Sequence, residues 1–215
     1  MGDYQATAPI QPAAGPDRIR LFEVASGQGG YFTAEQARAC GYSWALLSHH
    51  VKSGRFARVR RGLYRLREYP SSPREDVLAA WLAVGKDVAV VSHDSALDLL
   101  DLSDVIPNAA HLTVPRSRRN LPSLPGVKIH TTVRPLTPRD LTYREGMVVT
   151  SATRTILDAA EAGTAPDQIE LAVRQAVERG LAAPDELRRG AAERGRRVAA
   201  LIEGALKGVR KSVPA

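Results

Sequence analysis

Cysteine is almost absent from this chain: Cys40 is the only one in 215 residues. That excludes an internal disulfide framework and a cysteine-rich zinc site, and Cys40, closing an amphipathic stretch, reads as a small core residue. No apolar run reaches the roughly eighteen residues that a membrane-spanning helix needs. The N-terminus lacks the basic region and apolar stretch of a secretory signal, so a cytoplasmic location is expected. Phosphate loops are missing as well, because Gly27-Gln28-Gly29-Gly30 fits neither G-x-G-x-x-G nor a P-loop. There is no G-x-S-x-G elbow. His93, Asp94 and Ser95 are adjacent, but neighbours at one helix start point in different directions. A cap formed by Ser92 or Asp94 is the simpler reading of that block. His111 and His130 fall in strand-like runs without metal-ligand spacing and read as ordinary strand residues. No catalytic residue, metal or cofactor is therefore assigned, and the chain is not read as an enzyme.

One further absence points somewhere. From Leu46 to Arg67 there is no Asp or Glu, while Lys52, Arg55, Arg58, Arg60, Arg61, Arg65 and Arg67 all fall there. Residues 17–69 hold ten Lys or Arg against four acids, a net +6. Residues 70–215 hold twenty against eighteen, only +2 in a chain of net +7. The charge is concentrated in one segment, as electrostatic phosphate binding requires.

The same segment carries a pattern. Residues 17–26 have near-helical apolar spacing, with Asp17 as a cap and Gly27, Gly29 and Gly30 as a stop. Thr33 stands three residues before Gln36, the spacing of a capping box, and opens a helix through Cys40. Gly41 breaks that helix, and Ser43 caps another from Ser43 to Ser53. Two short helices around a glycine turn read as a helix-turn-helix. The runs on either side of Arg61-Gly62 read as a basic β-wing. On the second helix Leu47 and Val51 should face the core. Ser43, Trp44, Ser48, His49 and Lys52 then fall mostly on the open side, where a major groove would lie.

Composition permits one large or two modest domains. Residues 1–16, rich in Ala, Pro and Gln, read as a disordered leader. Residues 17–69 read as a winged helix-turn-helix, 70–195 as an α+β domain with a small sheet and several helices, and 196–215 as an amphipathic basic tail. In the α+β domain, helices are expected over 74–84, 92–102, 151–161, 165–179 and 184–193, and strands over 88–91, 111–114, 127–133 and 147–150. The tail's apolar stripe (Val198, Leu201, Ile202, Ala205, Leu206, Val209) must be buried, either on its own domain or on a partner.

Four segments in this order resemble the AbiEi family of antitoxins from type IV toxin–antitoxin systems. They are the wing ending in Arg60-Arg61-Gly62-Leu63-Tyr64-Arg65-Leu66, the block Ser92-His93-Asp94-Ser95-Ala96-Leu97, His111-Leu112-Thr113-Val114-Pro115, and the stretch from Val149 to Asp158. The resemblance implies a winged-helix domain that represses its own operon, a C-terminal domain needed for antitoxicity, and a nucleotidyltransferase-like toxin as partner. Many such relatives carry a further nuclease-like domain. The residues up to Ala215 leave no room for one, so enzymatic activity is not expected.

The DNA-binding set is then Ser43, Trp44, Ser48 and His49 as candidates for base edges, with Lys52, Arg55, Arg58, Arg60, Arg61 and Arg65 as phosphate contacts. A monomer or weak dimer, paired on an inverted-repeat operator, is expected. Arg116, Arg118 and Arg119 form a second basic group, which extends the DNA track, meets an acidic partner or is simply solvated. Arg154, in the first turns of a helix, either grips an anion or joins a buried ion pair with an acid such as Asp98 or Asp158. Two rival readings remain: a winged-helix factor with a ligand-sensing C-terminal domain, and a degenerate nuclease. The second requires acids clustered with a lysine after residue 160, and none is seen.

Overall fold

The computed structural model describes residues 15–132 and 134–212, and the side chains as far as Val209. Up to residue 14, the expected leader lies outside the described residues. The chain is α+β and divides into two compact units, Met1–Ser71 and Ser72–Ala215.

The first unit comprises α1 (Arg18–Ser26), β1 (Tyr31–Thr33), α2 (Ala34–Ala39), α3 (Trp44–Lys52), β2 (Phe56–Arg60) and β3 (Leu63–Leu66). Local chemistry sets its helix ends. Asp17 accepts from the Arg20 N–H, and Ser43 from that of Leu46 at 3.1 Å. Thr33 and Gln36 form a complete capping box. At Gly62, φ is +77°, which closes the β2–β3 hairpin at little steric cost. Strand β1 is absent from the sequence reading. It pairs with β3 and completes an antiparallel sheet of order β1-β3-β2. Phe32, brought in by β1, meets Phe56 edge-on at 4.9 Å and stacks on Tyr64. With Leu21, Ala37 and Leu47 these rings form the core of the unit. Cys40 is buried there, and burial raises its pKa, the opposite of an activated thiol.

The second unit comprises α4 (Glu75–Val84), β4 (Val90–Val91), α5 (His93–Leu99), β5 (Ala110–Pro115), β6 (Val127–Thr132), β7 (Leu141–Arg144), β8 (Met147–Thr150), α6 (Ala152–Ala162), α7 (Pro166–Glu178), α8 (Pro184–Ala192) and α9 (Arg196–Ser212). Its sheet has the order β6-β5-β4-β8-β7 and is mixed: β5 runs parallel to β6 and β4 parallel to β8, the other pairs being antiparallel.

Several expectations are corrected here. Strand β7 adds a strand to those expected, and β4 is two residues long in place of four. Helix α5 stops at Leu99, since Asp101 and Ser103 adopt positive φ (52° and 68°), which no helix continues through. Ser92 makes no side-chain cap. Residues 196–212 are not a separate tail. Helix α9 buries Val198, Ile202, Ala205, Leu206 and Val209 in the same core as Ile169, Val173 and Leu187. The apolar stripe is thus satisfied within its own unit. Helix α8 packs closely at Gly190, where an added Cβ would meet the end of the Leu157 side chain and force it to shift.

Candidate nucleic-acid interface

Helix α3 is oriented by its buried side. Leu47 is fully buried, Val51 half-buried, and the His50 ring packs 4.9 Å from that of Phe56. Burial, aided by Arg55 and His49, lowers the His50 pKa, so this imidazole belongs to the packed side. Ser43, Trp44, Ser48, His49 and Lys52 are all exposed. Trp44 is 57% exposed, with the Arg38 guanidinium 5.6 Å from its ring centre. The Ser43 hydroxyl oxygen is already used as the cap of α3, which leaves mainly its proton for any outside partner.

The basic residues do not all occupy one environment. Arg55, Arg58 and Arg61 are exposed, and Arg60 is half-buried. Arg65 is engaged internally. Its Nη2 donates to the carbonyls of Tyr69 and Pro70, both at 2.9 Å, and its guanidinium lies 5.5 Å from the Tyr31 ring centre. It fastens the end of β3 to the segment that leaves the unit. Strand β2 carries a bulge between Arg58 and Arg60, which adds local twist to the wing.

In the second unit the arginines differ. Arg116, Arg118 and Arg119 are exposed on the turn after β5. Arg154 is 6% exposed. It donates to Asp158 at 2.7 Å and to Thr132 Oγ1 at 2.9 Å. The other Asp158 oxygen accepts from Arg194 at 2.8 Å. Asp158 thus bridges two buried guanidiniums, and the anion grip considered for Arg154 gives way to an internal ion pair. Asp98, the other acid considered, pairs instead with Arg74, which also meets Asp101 and Glu145.

Sequence reasoning missed one cluster. His93 and His130 stack with ring centres 3.6 Å apart, and His111 lies 5.1 Å from His130. The parallel β5–β6 register sets Thr113 opposite His130, and α5 begins at His93 with φ +51°. Thr113 Oγ1 donates to Ser92 Oγ, which lies 2.9 Å from His93 Nδ1. Burial, then the neighbouring imidazoles and Lys128, push His93 down to about 2 and His130 to about 4. No group of three potential ligands among the described residues is arranged to hold a metal ion. Asp94 is taken by Thr164, and Ser95 by the Ala109 carbonyl and the His111 N–H, so the His93-Asp94-Ser95 neighbours go to separate partners.

Residues 20–67 match the family described as "Transcriptional regulator, AbiEi antitoxin". No curated protein matches the chain. The fold of the chain resembles the crystal structure of the RV2827C protein from Mycobacterium tuberculosis, with a TM-score of 0.61 over 94% of this chain and 86% of that one. At 16% identity the likeness is one of fold. Among the described residues no helix is long and apolar enough to cross a membrane.

Proposed function

We propose that the protein is a DNA-binding transcriptional regulator, acting as the antitoxin and autorepressor of a type IV toxin–antitoxin operon. The observation that carries this reading is the pairing of an outward-facing polar side of α3 with an acid-free basic wing, in a unit that matches a family of regulators. Helix α3 enters the major groove of double-stranded DNA, where Ser48 and His49 reach base edges and Trp44 and Ser43 flank them. Lys52, Arg55, Arg58, Arg60 and Arg61 hold phosphates, which fix register and affinity but carry no sequence. Arg65 contributes by holding the wing in place. Two copies sit on an inverted repeat, and the second unit carries the antitoxin activity against a nucleotidyltransferase-like toxin. The protein acts in the cytoplasm, by binding rather than by catalysis.

Fluorescence anisotropy on DNA from the upstream region tests this reading. Each wing arginine changed to Ala should reduce the salt slope by about one and weaken all sequences alike. Unchanged affinity in the Arg58→Ala, Arg60→Ala, Arg61→Ala triple variant removes the wing from the interface. Ser48→Ala and His49→Ala should each cost about 1–3 kcal/mol on the operator and little on random DNA. Equal losses on both DNAs would make them positioning residues.

A further inference from the structure

The first unit contains a groove that the proposed DNA contacts leave largely unused. Leu21 and Phe22 of α1, Phe56 and Leu66 at the base of the wing, and Tyr69 beyond it form its walls, and its volume is about 630 Å³. That lies within the range of about 300–1,000 Å³ common to small-molecule sites, which are apolar clefts with a few placed polar groups. Phe22 is 58% exposed, an aromatic face left in water. The polar groups here are Arg18, Arg55 and Tyr42. Both guanidiniums line the same groove as the Tyr42 phenol and act on it electrostatically. Neither is in an ion pair among the described residues. Glu68 also lines the groove, beside Tyr69 and Pro70, and the Asp17 carboxylate acts on Tyr42 against the two guanidiniums, so two cations stand against one acid around that hydroxyl.

We propose that this groove binds an amphipathic monocarboxylate, with its apolar or aromatic body against Phe22, Phe56 and Leu66 and its carboxylate between Arg18 and Arg55. The Tyr42 hydroxyl is a third donor. Guanidinium suits this role, since its fork of N–H donors matches a carboxylate and carries charge at every physiological pH. The site has a regulatory consequence that rests on the DNA reading above. Arg55 is one of the proposed phosphate contacts, so a bound carboxylate withdraws it from DNA.

The test titrates the full chain by calorimetry with 4-phenylbutyrate and with decanoate, using the corresponding alcohols as uncharged controls. Saturable one-site binding of a carboxylate is expected, with its alcohol at least about tenfold weaker, because bonds to charged groups contribute about 1.5–3 kcal/mol. Arg18→Gln should weaken binding about tenfold for the same reason, and Phe22→Asp should abolish it. Both side chains are exposed, and unchanged melting of each variant confirms its fold. Saturating carboxylate should lower the salt slope of DNA binding by about one. Absence of saturable binding by both carboxylates, or binding that neither variant disturbs, overturns the site. Self-association that Phe22→Asp removes, without carboxylate binding, assigns the groove to a second copy and likewise overturns it. Carboxylate binding that leaves the salt slope unchanged overturns the coupling. A chain that takes the carboxylate but binds no DNA would sink the DNA reading and leave the site standing.

Discussion

The hairpin of the first unit and the core of the second put arginine to different uses. In the first, Arg55, Arg58 and Arg61 stand exposed on and beside a wing without acids. In the second, Arg154 and Arg194 are almost wholly buried and share the carboxylate of Asp158, while Arg74 is held by three acids. Outward guanidiniums contribute little to folding and are available to an anionic partner. Inward ones are part of the fold, and their charge is cancelled before any partner arrives. A count of basic residues would favour the second unit, with twenty after residue 69 against ten in residues 17–69; the placement of acids reverses that ranking.

The largest expected effect breaks the inward pattern. Asp158→Ala leaves two buried guanidiniums without their shared carboxylate and should cost about 3–5 kcal/mol. Chemical denaturation followed at Trp81, the buried tryptophan of the second unit, reads that loss. A cost below that of an ordinary surface change would mean that the ion pair is not part of the fold.

Acid should weaken the second unit next. Folding holds His93, His111 and His130 below the unfolded value of about 6.5. Below pH 6.5 the unfolded chain therefore binds more protons, so stability falls as the pH drops. The contribution is complete above 6.5 and is lost through the window down to about 4 for His130, and further for His93. Each such histidine adds a slope of at most about 1.4 kcal/mol per pH unit. Melting between pH 7 and 5 should lower the transition of the second unit, and His130→Gln should flatten the dependence. A flat profile for the wild type would show that the imidazoles are not buried in solution.

Gly190→Ala should destabilise by about 1–3 kcal/mol, because the added methyl meets Leu157 across the α6–α8 contact. Pairing it with Leu157→Ala should recover part of the loss, and simple additivity would argue against the contact. In the first unit Thr33→Ala removes the capping box of α2 at a cost of about 1 kcal/mol. Smallest of all, Arg58→Ala and Arg61→Ala should move stability by no more than about 0.5 kcal/mol while weakening DNA. A large folding cost there would place them with the inward arginines.

What could be read from the residues follows the range of the interactions involved. The helices of the first unit announce themselves through neighbours three positions apart: Asp17, Thr33 with Gln36, and Ser43 each cap an adjacent turn. The wing is legible for the same reason, since its turn is local. Strand β1 escaped because three residues carry no alternation to detect, and its strand character comes from β3, some thirty residues away. Strand β7 escaped likewise, being defined by β8. The ion pair of Arg154 with Asp158 is an i,i+4 contact and could be listed as an alternative; Arg194 as its second partner could not. The histidine cluster depends on the parallel register of β5 and β6 and on a left-handed residue at the start of α5, neither of which leaves a local trace.

The incorporation of α9 into the core of the second unit has a consequence for synthesis. The first unit has all its strands and caps once residue 71 has left the ribosome. The second cannot close its core until Val198, Ile202 and Leu206 have emerged. At about 5–20 residues per second the interval is on the order of ten seconds. During that time the nascent chain carries a finished first unit ahead of an unfinished second one. If the first unit binds DNA as proposed, it would be competent to do so before the protein that bears it is complete.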